Sequence, residues 1–260
     1  VASITLPTLI KEYNKHAWVN ALKQNYSLLN QGFRKMMADD GVEFIADTEV
    51  WRAIVDSNCN TNDDISSDKC KDFYSQLGKY FKIIRIGVGN DYFSYNLGTF
   101  HREGIGYKYK HRNSSIEAGS SGNIIYLSNG AMIWTYSFNK NPSIHPNCDA
   151  IHSAGGHMCG QAGSFNIDIN GNRGPNELGK DIFVFDITER GQLAPYGGND
   201  YALHQAAYMG FSQENINQYK ANGIYAGYCD NTSRTSMYGE LPGKSCSGLL
   251  IDQLNWKMDY

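Results

Sequence analysis

The chain has no excess of charge of either sign, few prolines, no long hydrophobic run and none of the common catalytic signatures. Its 23 basic and 26 acidic residues leave a net charge of -3, which excludes a polycationic nucleic-acid or membrane-surface binder. The most apolar stretch, "VASITLPTLI" at residues 1–10, is about half the ~20 residues that a transmembrane helix needs. There is no G-x-S-x-G elbow, no H-E-x-x-H helix and no kinase-like set. The glycine-rich "RIGVGNDYFSYNLG" lacks the Lys-Ser/Thr that completes a phosphate cradle. Isolated carboxylates supply no acid–base pair without geometry, so the sequence offers no enzyme to argue for.

What is present is enough apolar material for a sizeable core: 260 residues, of which 41% are hydrophobic. Against only 6 prolines stand 27 glycines and 18 tyrosines, the mark of a sheet- and loop-rich body commoner outside cells than inside them. From Trp18 onward, Trp18, Leu22, Tyr26, Leu29, Phe33 and Met36 step by four or three. That rhythm predicts one face of an amphipathic helix running to about Ala38, with Lys11, Lys15, Lys23 and Gln24 off the stripe. Pro7 sits near the junction of this half with the apolar start. It marks either a bend inside a long helix or the helix's first turn.

Further along, Phe73, Leu77, Tyr80, Phe81 and Ile84 predict a second helix over 68–84. "NIIYLSNGAMIWTYSF" reads as a hairpin turning at Asn129-Gly130, a pair suited to a type I′ turn. "FNIDI" and "DIFVFDI" alternate around a Gly-Pro-Asn turn and predict a second strand pair. The expected fold is therefore α+β, a long N-terminal helix packed on an antiparallel sheet. The division is a helix at 1–38 and a globular head at 39–260, with residues 197–222 as an insertion carrying a helix after Ser212.

Six cysteines fall into three local pairs, Cys59 with Cys70, Cys148 with Cys159 and Cys229 with Cys246. Each would close a loop of roughly a dozen to eighteen residues, worth ~3 kcal/mol in the chain-entropy model. Six cysteines permit about 15 connectivities, and buried free thiols are the alternative. The polar loops around these cysteines favour disulfides and an oxidising compartment.

Two clusters have metal-ligand chemistry. Asp168, Asn170, Asn172 and Asp181 offer hard oxygens in the rhythm of a calcium loop. Arg173 stands where an EF-type loop has its glycine, and the bidentate glutamate is missing. The alternative is that these side chains cap a β-turn. His145, Cys148, His152, His157 and Cys159 would suffice for tetrahedral zinc, but no ligand pair sits on one firm element and the cysteines compete as a disulfide. Asn25, Asn113 and Asn231 begin N-x-S/T triplets, which are common by chance.

The opening "VASITLPTLI" with the Tyr- and Lys-containing helix after it resembles the N-terminal segment of type IV pilins and type II secretion pseudopilins. The segment at 165–187, "FNIDINGNRGPNELGKDIFVFDI", resembles the D-x-N-G-x-x-G-P-N-x-x-G-x-D-x-F stretch of large bacterial pilin-like proteins, and "LNWKMDY" is similar to their C-termini. The resemblance covers residues 1–40 and 165–187 well and the rest thinly. It implies a filament subunit whose N-terminal helix, with Val1, Ile4, Leu6, Pro7, Leu9 and Ile10, belongs to the filament core. Val1 would fall inside a longer hydrophobic helix, trimmed by a prepilin peptidase from an inner-membrane-anchored precursor.

The implied partners are copies of the chain and the pilus or secretion machinery, at the bacterial surface or outside the cell. No cofactor other than the candidate calcium is implied. Two other classes compete: a tip pseudopilin or adhesin binding through Tyr-rich loops, and a secreted hydrolase with an unrecognised site.

Overall fold

The computed structural model describes residues 2–57, 68–88, 91–94, 99–102, 107–110, 117–120, 123–138, 160–198, 229, 243 and 245–258. The proposed insertion at 197–222 lies almost wholly outside the described residues.

Helix α1, Ala2–Asp40, is one 39-residue helix that runs through Pro7, so the proline is interior and not an N-terminal start. At 1.5 Å per residue it is ~58 Å long. It stops at Gly41, whose φ of 65° is open to glycine at low cost. The Gly41 N–H donates to the Ala38 carbonyl and the Val42 N–H to the Met37 carbonyl, the paired bonds of a Schellman ending. A 3-10 turn, Ile45–Asp47, leads into α2, Glu49–Ser57. Thr48 caps α2 by accepting the Trp51 N–H at 3.2 Å.

The strands are β1 (Ile83–Val88), β2 (Asp91–Ser94), β3 (Thr99–Arg102), β4 (Tyr107–Lys110), β5 (Glu117–Ser120), β6 (Asn123–Leu127), β7 (Met132–Phe138), β8 (Gln161–Asp168), β9 (Ile182–Thr188) and β10 (Leu193–Pro195). Eight form one sheet in the order β10-β9-β8-β7-β6-β1-β2-β3, with β4 and β5 paired separately. Every neighbouring pair is antiparallel. The α+β class with an antiparallel sheet is thus observed. The strands expected at "FNIDI" and "DIFVFDI" pair in register, Phe165 opposite Phe185.

Alternation along the strands divides the core. Phe165, Ile167, Phe183, Phe185 and Ile187 join Leu22, Leu29, Phe33 and Met36 of α1 on one face, as the helical stripe predicts. Trp134, Ile182 and Val184 are buried on the other face. Two polar ties fix α1 to the sheet. The Tyr26 hydroxyl donates to the Leu193 carbonyl at 3.1 Å, and the Leu193 N–H donates to Asn30 Oδ1 at 2.9 Å. Together they occupy backbone groups of the edge strand β10, which edge strands otherwise leave open.

Two expectations are corrected. Helix α3 covers Asp68–Leu77 and does not reach 84. The chain turns at Gly78, Tyr80 and Phe81 donate back to the Leu77 carbonyl, and Ile83 and Ile84 enter β1. Phe81 then packs edge-on against Phe33, ring centroids 5.2 Å apart. A Cβ on Gly32 would overlap that Phe81 ring.

The β6–β7 turn is not type I′ either, because only Gly130 has positive φ. Leu127 accepts from Gly130 at 3.0 Å and donates to Ala131 at 2.9 Å, the pattern of a three-residue turn closed by a glycine bulge. Asn129 is held elsewhere: its Oδ1 accepts the Ala131 N–H and its Nδ2 donates to Asn25 Oδ1 of α1 at 2.9 Å.

Candidate assembly surface and the loop beside it

Near its start α1 exposes large apolar side chains. Leu6, Leu9, Ile10 and Tyr13 are 58%, 67%, 51% and 71% accessible, whereas Leu22 and Met36 on the same helix are fully buried. The difference follows from the sheet, whose apolar α1-facing side chains meet the helix from about Val19 onward. Among the described residues, no helix is long and apolar enough to cross a membrane.

Where α1 leaves the sheet, the β8–β9 connection closes against it. Asp168 and Asp181 are both fully buried, and the loop between them is tied by side chains bonding to backbone. Asp168 Oδ1 accepts the Asn170 N–H at 3.0 Å, and Asn170 Nδ2 donates to the Gly174 carbonyl at 3.1 Å. The Gly174 N–H donates to Asn176 Oδ1 at 2.9 Å. Asp181 accepts the Asn176 N–H at 2.9 Å and the Glu177 N–H at 2.8 Å. Burial pushes the Asp181 carboxyl above its ordinary value, and those two N–H groups and Asn170 oppose the rise.

Gly171, Gly174, Asn176 and Gly179 all take positive φ, and the Gly174–Pro175 peptide is cis. Gly179 has a second reason to lack a side chain, since a Cβ there would overlap Cys246 Sγ. Cys246 is bonded to Cys229 with Cα atoms 4.4 Å apart. The C-terminal helical turns that begin at Cys246–Gly248 dock on β9 and the end of β10, where Ser247 Oγ accepts the Val184 N–H and the Gly248 N–H donates to the Tyr196 carbonyl.

Between α1 and this loop lies an open cleft of about 330 Å³, lined among others by Lys11, Lys15, Trp18, Pro175 and Lys180. Lys15 is paired with Glu12 at 3.3 Å and Lys180 with Glu177 at 2.6 Å. Lys11 has no ion-pair partner among the described residues. The cleft thus gathers three lysines, two of them paired with glutamates, beside the apolar Trp18, Pro175 and Met258.

The residues singled out by sequence are distributed as follows. Leu6, Leu9 and Ile10 form one exposed patch, and Pro7 lies inside the same helix. Ile4 is on α1 with its side chain outside the described residues, and Val1 lies outside them. Asp168, Asn170 and Asp181 come together as the turn-capping alternative requires. Asn172 is in the 3-10 turn Gly171–Arg173, its side chain outside the description.

Of the three cysteine pairs, Cys229–Cys246 is present as a disulfide. Cys59, Cys148 and Cys159, the side chain of Cys70 on α3, and the histidines His145, His152 and His157 lie outside the described residues. Among the described residues, no group of three or more His, Cys, Asp or Glu is placed to hold a metal. Asn25, the start of one N-x-S/T triplet, is only 2% accessible and donates to the Ala21 carbonyl of its own helix, so it serves the helix–hairpin tie. Sequence reasoning missed Asn25, Asn30 and the lysine cleft, because polar residues on a helix carry no periodic signal that separates a tie from a solvated side chain.

Comparison with known proteins returns no matching family model, no matching curated protein and no matching solved structure.

Proposed function

We propose that this chain is a structural subunit of an extracellular pilus or pseudopilus filament, assembled through its N-terminal helix. The observation that carries this reading is the projecting half of α1, which presents Leu6, Leu9, Ile10 and Tyr13 to solvent on a helix continuous with the core. Burying such a stripe against neighbouring helices gains ~25 cal/mol per Å² of apolar area relative to water. A head-to-tail contact that does not close propagates into a filament. Copies of the chain are the partners. A membrane-anchored precursor and the pilus or secretion machinery of a bacterial inner membrane supply them for assembly. The pilin-like motifs at residues 1–40 and 165–187 support the same reading.

The test is electron microscopy and sedimentation of the purified chain across a concentration series. Filaments or sedimenting polymers are expected for the wild type, and Leu9→Asp should abolish them without altering the fold. A wild-type chain that stays monomeric throughout overturns the reading. The lysine cleft beside Trp18 favours a second role, a tip pseudopilin or adhesin that binds an anionic partner. A chain that binds anionic ligands and never polymerises alone selects that role.

A further inference from the structure

The cleft between α1 and the β8–β9 loop begins where the uncharged end of the helix stops. Residues 2–10 carry no charge, and Leu6, Leu9 and Ile10 among them are exposed. Lys11 follows at once, with Lys15 and Trp18 about one and two turns further on. All three line the cleft together with Asn14 of the same helix, Pro175 and Lys180 of the loop and Met258 of the C-terminal segment. Its described lining holds no carboxylate. Lys15 is paired with Glu12 and Lys180 with Glu177, yet an ammonium has three donors and an ion pair need occupy only one. Asp168 and Asp181 of the same loop are fully buried, and their oxygens accept backbone N–H groups inside it.

We infer that this cleft is a site for the phosphate of an anionic phospholipid, at the surface of a membrane into which the uncharged end of α1 dips. Lys11 and Lys15 are ~6 Å apart along the helix axis, and the headgroup layer on each side of a bilayer is ~5–8 Å thick. With residues 2–10 below that layer, the cleft stands level with the lipid phosphates, where lysines beside an anionic leaflet favour binding. Tyr13 falls between the two lysines and Trp18 about a turn above them, the zone in which amphipathic rings are favoured. Leu6, Leu9 and Ile10 select a lipid over a soluble anion. A free phosphate gains nothing from exposed apolar residues beside its site, whereas the acyl chains beneath a lipid phosphate meet them directly. A helix that only anchored the chain would be indifferent to Lys180, which belongs to the head. The inference goes beyond the filament reading, since it assigns a ligand to the head and does not require polymerisation.

The experiment is flotation of the full chain with vesicles of phosphatidylcholine alone and of phosphatidylcholine mixed with phosphatidylglycerol, at low salt. The wild type should bind the anionic vesicles about tenfold more tightly than the neutral ones. Lys11→Gln and Lys180→Gln should each weaken binding to the anionic vesicles about fivefold. Lys82→Gln, an exposed lysine beside the other half of α1, should weaken it less than about twofold. Equal binding to both vesicles, or equal losses from Lys82→Gln and Lys180→Gln, overturns the inference. Millimolar inorganic phosphate should leave thermal unfolding where chloride of the same ionic strength leaves it; a shift that Lys180→Gln removes assigns the cleft to a soluble anion instead. Sedimentation without lipid reads the filament separately. A wild type that floats with anionic vesicles and never polymerises removes the filament reading and leaves this site, and the reverse result removes this site alone.

Discussion

The two ends of α1 set the same kind of apolar side chain in opposite surroundings. Leu6, Leu9, Ile10 and Tyr13 near its start are exposed, while Leu22, Leu29, Phe33 and Met36 further along join the core. One continuous helix therefore lives in two environments, and what separates them is the reach of the sheet, not the composition of the helix. Burial within the subunit is decided by where a partner surface exists. Leu6, Leu9, Ile10 and Tyr13 meet no such surface among the described residues.

The sharpest way to break the contrast is to remove a side chain from the packed half. Phe33→Ala deletes a buried ring that meets Phe81 beside Leu29, Leu77 and Ile133. It should cost about 3–5 kcal/mol, read as a lowered urea midpoint. Next comes the polar tie. Asn25→Ala removes a buried side chain that accepts from the exposed Asn129 Nδ2 and should destabilise by about 0.5–1.5 kcal/mol, with loss of amide protection in the β6–β7 turn. Retention of wild-type stability there would make the tie incidental.

A pH series sharpens the role of the loop beside the projecting half. Because burial raises the Asp181 carboxyl above 3.8, the folded protein holds that proton more tightly than the unfolded chain. Asp181 therefore favours the folded state fully below 3.8, and that contribution is lost as pH rises from there through the raised folded value. Asp181→Asn should flatten the pH dependence of the unfolding midpoint in that window; an unchanged slope would assign it to another group. The smallest effect is expected in the projecting half, where Leu9→Ala should change monomer stability by less than about 0.5 kcal/mol and yet weaken polymerisation. A large loss of monomer stability would show that Leu9 has a partner inside its own subunit.

Much of the fold was legible because it is written in periods. The 3.6-residue stripe from Trp18 to Met36 and the alternation around Phe165 and Phe185 both point at the surfaces they meet. The boundary at Leu77 was not legible. Tyr80, Phe81 and Ile84 fit the helical stripe as well as they fit a turn and a strand, and the pairing of β1 with β6 and β2 decides between them. Helix α2 went unread because nine residues carry too few turns for a period to stand out. At the candidate site, the exposed apolar residues were legible as a group but their direction was not. The turn-capping and calcium readings of Asp168 and Asp181 look alike in sequence, since both need carboxylates flanking a tight turn; the backbone donors on Asp168 Oδ1 and on both Asp181 oxygens are visible only in the fold.

The sequence by itself determined the helix, the strand pair around the Gly-Pro-Asn turn and the place of the Asn129-Gly130 reversal, because each depends on residues close in the chain: side-chain spacing, a locked proline φ, a glycine free to take positive φ. The tertiary structure alone decided that β9 is buried on both faces and that Asn129 keeps negative φ to reach Asn25. It decided too that Gly179 must make room for Cys246 and that Leu6, Leu9 and Ile10 of α1 stay exposed. Those outcomes depend on which distant surface arrives at each side chain, and local spacing does not carry that information.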